Sequence, residues 1–201
     1  MNLIERAKNI LFKPKDEWKV IAGEEPNTQS LIFSYVLPLA LIPAVARFIG
    51  FGVFGFHVGR FAGMSGIGWG LSSGIISLIT TILAVFVAAF IIDILAPSFK
   101  SEKNFGRSMQ LVAYSYTPVW VAGILYLIPL LGIVASLLGL YGIYIMYTGL
   151  GDIKKTPDDS RVGYMVVSAI VAIVIMWIIS AILMAIATSI FFAGAATLRF
   201  F

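Results

Sequence analysis

From Met109 to Gly151 the chain carries no charged side chain. A helix at the surface of a water-soluble core shows charges on its outer face, so an uncharged stretch this long cannot be folded that way. It is divided by a turn signal at Pro129-Leu130-Leu131-Gly132 and reads as a hairpin of two membrane-crossing helices. At about 1.5 Å per residue, arms of about 20 residues cross a hydrocarbon core of about 30 Å. Composition agrees: of 201 residues 60% are hydrophobic and 12% charged, and the mean hydropathy is +0.98, values of the polytopic membrane class. The expected fold is an all-α polytopic membrane bundle. It comprises a short amphipathic region over residues 1–30 and a membrane domain over 31–201, with five transmembrane helices near 31–50, 71–96, 109–128, 130–150 and 164–192.

The polar start is too long and too acidic for a cleavable signal, and no small-residue cleavage site precedes the next span. Leu3, Ala7, Ile10 and Leu11 fall at helical spacing, which fits an amphipathic helix lying on the membrane surface. Pro14 ends it, and Lys15-Asp16-Glu17-Trp18 restarts the pattern with Trp18 suited to the headgroup level.

Prolines punctuate the apolar spans. Pro38 and Pro43 interrupt the first, Pro118 lies in the third, and Pro129 makes the hairpin turn; each removes a backbone donor and favours a kink or turn. Residues 51–70 hold Gly55, Gly59 and Gly63, the single histidine His57, and Arg60, and read as a far-side loop that dips toward the interface. Arg47, late in the first span, can snorkel to that interface. Asp93 is the one acid in the second span, placed either to face the bundle interior or to reach the Lys100 and Lys103 flank.

Orientation follows from the basic residues. Arg6, Lys8, Lys13, Lys15 and Lys19 share one side with Lys100, Lys103, Arg107, Lys154, Lys155 and Arg161, whereas Arg60 and Arg199 fall opposite. By the positive-inside rule the N-terminus is cytoplasmic and the C-terminus outside. The net charge of +4 is confined to these flanks, so anionic lipid is the expected partner and nucleic acid is not.

Catalytic patterns are missing. There is no cysteine and only one histidine, no phosphate-cradling glycine loop and no metalloprotease motif. No enzyme, metal site or cofactor is expected. Topology nevertheless gathers one polar cluster at the cytoplasmic ends of spans two to four: Asp93, then Tyr114, Ser115 and Tyr116, then Tyr144, Tyr147 and Thr148. Hydroxyls in hydrocarbon require partners, so the cluster reads as interhelical glue with a tyrosine belt, or as a site for a lipid headgroup, ion or small solute.

The third span with Tyr114-Ser115-Tyr116-Thr117-Pro118, the lead-in Phe99-Lys100-Ser101-Glu102-Lys103-Asn104-Phe105, the Pro129 hairpin and the five-span layout resemble the YIP domain of Ypt/Rab-interacting proteins. The opening Pro14-Lys15-Asp16-Glu17-Trp18 and the Pro38-containing first span are similar to its bacterial branch. That resemblance implies five spans, a cytoplasmic N-terminus and, for a bacterial member, the inner membrane. Eukaryotic relatives act with Rab GTPases in vesicle traffic, but this chain has a short tail and lacks their Asp-Leu-Tyr-Gly-Pro motif, and both departures weaken any inference of Rab-type GTPase binding. Two functions remain in view. One is a non-enzymatic membrane organiser that binds membrane proteins or lipids and can self-associate through the small-residue face of Gly132, Ala135, Ser136 and Gly139. The other is a small-solute or ion transporter that uses the polar cluster, with Asp93 as its buried charge.

Overall fold

A computed structural model describes residues 2–54 and 66–197, with side chains through Ile178 apart from Pro129 and Met176. Helix α1 (Leu3–Phe12) is capped by the Asn2 side chain, which accepts from the Ile4 amide at 3.0 Å. Helix α2 (Pro14–Ala22) opens on Pro14, whose fixed φ and missing N–H suit a first turn. The apolar face expected to lie on lipid is instead covered by protein. Ala7, Ile10, Trp18 and Ile21 are all buried, and Trp18 belongs to the core where a headgroup-level position was expected. An amphipathic stripe has the same spacing whether lipid or protein covers it, so the sequence pattern alone could not separate the two.

Helix α3 (Thr28–Phe54) contains a π turn over Ile32–Val36, closed by the Leu37 amide on the Ile32 carbonyl, directly before Pro38. A second π turn, Gly50–Phe54, ends it. Helix α4 (Ile67–Phe99) begins and ends slightly beyond the expected span. The two helices approach closely at Gly74, where a Cβ would lie 2.9 Å from the Ala44 carbonyl. Gly55, His57, Gly59, Arg60 and Gly63, like Arg199, lie outside the described residues, while the rest of 51–70 that is described is largely helical.

The expected third span is not one helix. It consists of α5 (Phe105–Ser115), α6 (Thr117–Ala122) and a 3-10 segment Gly123–Leu127, with the break at Tyr116. Pro118 has no N–H to offer the Tyr114 carbonyl four residues back, and Thr117 Oγ1 donates to that carbonyl at 2.7 Å instead. Every residue from Ser108 to Ser115 is buried, so after its first turn α5 is an axial core element with no lipid-facing side. After a 3-10 turn at Pro129–Leu131, α7 (Gly132–Lys154) and α8 (Asp158–Thr197) complete the chain.

All regular structure among the described residues is helical. Three of these helices, α3, α4 and α7, are long and apolar enough to cross a membrane. That is fewer than the five expected: the third stretch is broken, and the far half of α8 lies beyond the described side chains.

Candidate functional site

The seven polar residues grouped from the sequence separate into three environments. Asp93 joins the first, on the side where α4, α5 and α7 come together. Its partner is neither Lys100 nor Lys103 but Lys154, whose Nζ is 3.3 Å from Asp93 Oδ1 and whose side chain is fully buried. Lys154 Nζ also donates to Ser108 Oγ at 2.8 Å and to the Asn104 carbonyl at 3.3 Å, and Ser108 Oγ lies 3.1 Å from Asp93 Oδ1. Around this pair the segment after α4 meets the end of α7 and the residues that follow it: the Glu102 amide donates to the Lys154 carbonyl at 2.8 Å, and Ser101 Oγ to Thr156 Oγ1 at 2.9 Å. Tyr164, stacked on Phe99, donates its hydroxyl to the Ile92 carbonyl. Each buried charge here has its partner, as buried charges require. The sequence reading counted Lys154 among the flanking cations; its place one turn after Leu150, on the buried stripe of α7, was the available signal.

The second environment surrounds Tyr114. Its ring packs edge-on to Tyr35 and Trp18 with centroids at 4.7 and 6.1 Å, and the Arg6 guanidinium lies 5.4 Å above it. Arg6 is itself buried and bonds Glu17 at 2.8 Å and also Glu24. Burial opposes its charge, but the bond to Glu24 and the nearby Tyr114 and Glu17 outweigh that, and its pKa stands above the ordinary value. Trp18 Nε1 donates to the Ile145 carbonyl at 2.9 Å, and Arg107 donates to the Ile21 and Ala22 carbonyls at the end of α2, both at 3.0 Å. These contacts fasten α1 and α2 to α5 and α7. Thr148 is spent locally on the Ile145 carbonyl at 2.8 Å.

Ser115, Tyr116, Tyr144 and Tyr147 form the third environment. They line a cavity of about 790 Å³ between α4, the α5–α6 break, α7 and α8. Ala88, Ile92, Met146 and Met165 supply apolar wall. Exposed Ile143, Val162 and Val166 at its rim leave it open sideways. Gly142 brings α7 against the break, since a Cβ there would come within 2.5 Å of the Ser115 carbonyl. Two buried hydroxyls on the wall, Ser115 and Ser168, have no hydrogen-bond partner among the described residues. Ser168 was not singled out from the sequence, because a lone serine in an apolar helix ordinarily bonds its own backbone.

Pro38, Pro43 and Pro118 lie at the π turn, inside α3 and beside the α5–α6 break respectively, and Pro129 opens a 3-10 turn. The family model of the Yip1 domain matches residues 8–181. The chain belongs to the Yip1 domain family. No curated protein and no solved structure matches it. The Yip1 match takes in α2 and the second half of α1 together with the membrane helices, in keeping with their packing as one body. It also contains the Asp93–Lys154 pair and every wall of the cavity.

Proposed function

We propose that this Yip1-domain chain is a non-enzymatic, five-span integral membrane protein of the bacterial type that organises its surroundings by binding lipid, with the N-terminus cytoplasmic, the C-terminus outside, and the inner membrane as its location. The observation that carries this is the laterally open cavity with the two unpartnered hydroxyls of Ser115 and Ser168. At about 790 Å³ it lies within the range of small-molecule sites, about 300–1,000 Å³, which are largely apolar with a few placed polar groups. A lipid fits both demands: an acyl chain fills the apolar wall, and ester carbonyls accept from the two serines. An unsatisfied buried hydroxyl costs about 1–3 kcal/mol, so both serines favour an occupied cavity over an empty one.

The solute- or ion-transporter reading depends on Asp93 as an available charge. Its pairing with a fully buried Lys154 weighs against that role. Rab-type GTPase binding has no support in these residues.

The test uses a phospholipid with a photoreactive acyl chain, reconstituted with the full-length protein and mapped by mass spectrometry after irradiation. Labelling concentrated on Met146, Tyr147 and Met165 is expected. Equal labelling of outward-facing Phe90 and Ile173 would reject a defined lipid site.

A further inference from the structure

The lipid cavity has a neighbour on the far side of the α5–α6 break. A second cavity, of about 540 Å³, is walled by α3, α4 and α6 and includes Arg47 and Trp120. Tyr116 and Val119 line both. The α4 residues that wall the two belong to one helical stripe. Trp69, Ser73, Ser77 and Thr80 lie in the second cavity and Ala88 and Ile92 in the first, with Ala84 between them completing a run of three- and four-residue steps. From Trp69 to Ile92 the stripe covers about 35 Å, against a hydrocarbon thickness of about 30 Å. The cavities therefore stand in series along a helix that traverses the bilayer, and together form one groove narrowed at Tyr116 and Val119.

The chemistry of this groove suits a phospholipid headgroup. Hydroxyls of Ser77 and Thr80 follow one another along α4, one turn beyond Ser73, whose hydroxyl already donates to the Gly70 carbonyl at 2.9 Å, and those of Ser115 and Ser168 continue on the other side of the narrowing. Polar groups at this depth are costly unless they meet a partner, and a passing phosphate and its glycerol esters are such partners. Arg47 supplies the positive charge at the far end: its guanidinium lies 3.9 Å from the Tyr126 ring centroid and its buried Nε has no hydrogen-bond partner among the described residues. A guanidinium so placed matches a phosphate diester. Asp93 and Lys154 line neither cavity, so no fixed carboxylate opposes an anionic headgroup there. Exposed Trp69 and Ile76 on one rim, and Ile143 and Val166 on the other, leave the groove open to the bilayer, where the acyl chains can stay.

We propose that this protein moves phospholipids between the two leaflets, the headgroup travelling along the hydroxyl stripe of α4 and past Tyr116 and Val119 while the chains remain in lipid. This rests on the reading of the first cavity as a lipid site and adds an activity to it. No energy source is involved, so the movement is bidirectional and runs down the lipid gradient.

The test reconstitutes the full chain into phosphatidylglycerol vesicles with a trace of phosphatidylglycerol that carries a nitrobenzoxadiazole label on a short acyl chain. Dithionite bleaches the label in the outer leaflet, and albumin back-extraction guards against leakage. Wild-type protein is expected to give loss of the inner-leaflet signal as well. The double variant Ser77→Leu with Thr80→Leu places apolar side chains toward lipid and groove without entering the core, and is expected to abolish that loss; Val119→Trp, which closes the narrowing, is expected to do the same. Ile79→Trp, on the exposed side of α4, is expected to behave as wild type, and all variants must elute as the wild type does. Inner-leaflet protection with the wild-type protein, or inner-leaflet loss undiminished in both groove variants, overturns the proposal. If protection is found while Tyr147 still captures photoreactive lipid, transit fails and lipid binding stands; if capture is also absent, both fail.

Discussion

Single residues here matter chiefly by whether a buried polar group has a partner. Asp93→Asn leaves Lys154 charged and enclosed, and is expected to destabilise the protein by about 3–5 kcal/mol. Combining it with Lys154→Met removes the orphaned charge and is expected to recover most of that loss in a thermal unfolding series in detergent. Ser115→Ala and Ser168→Ala point the other way. Each deletes a hydroxyl with no partner, so each is expected to leave detergent stability unchanged or raise it by about 1 kcal/mol, while reducing the lipid that co-purifies. A fall in stability with lipid unchanged would assign the serines to structure. Lys155 adopts a left-handed conformation, φ 54°, at the end of α7, which disfavours a side chain. Lys155→Gly is expected to add a few tenths to about 1 kcal/mol in the same assay. Asp93 was legible in the sequence as a residue needing a partner, but its partner was not, because a lysine at the end of an apolar run is ordinarily a solvated flank.

At the level of elements, the axial position of α5 decides how the rest is arranged. From Ser108 to Ser115 its residues are buried on all sides, and α1 and α2 cover one of those sides through Trp18 and Arg6. Gly149 makes this possible: a Cβ there would lie 2.5 Å from Trp18 Cε2. Gly149→Val is therefore expected to expel the indole and loosen α2, raising acrylamide quenching of tryptophan fluorescence and tryptic cleavage at Lys19. Unchanged cleavage would show that α2 is held by Arg107 and Arg6 alone. Element identity was readable from the sequence because the apolar runs are long and the prolines sharp. What covers each face was not. A 3.6-residue stripe is blind to whether lipid or protein lies against it, and the break at Tyr116 depends on how Thr117 satisfies the carbonyl that Pro118 leaves free.

The whole molecule is a bundle closed at one end by the Asp93–Lys154 ion pair and the paired segments that follow α4 and α7, and opened on its flank by a lipid-sized cavity. The five-span arrangement and its orientation are open to direct test. The chain has no cysteine, so single cysteines introduced at Lys103 and Lys155 are expected to resist a membrane-impermeant maleimide in intact cells, and one at Arg60 to react. The central claim is that lipid occupies the cavity between Ser115, Tyr147 and Ser168. Electron cryo-microscopy of the full protein in lipid nanodiscs tests it most directly. The account predicts elongated density entering between Ile143 and Val166 and ending against the two serine hydroxyls. A cavity closed by α8 packing onto α7, with Ser115 and Ser168 bonded to protein groups, would contradict it.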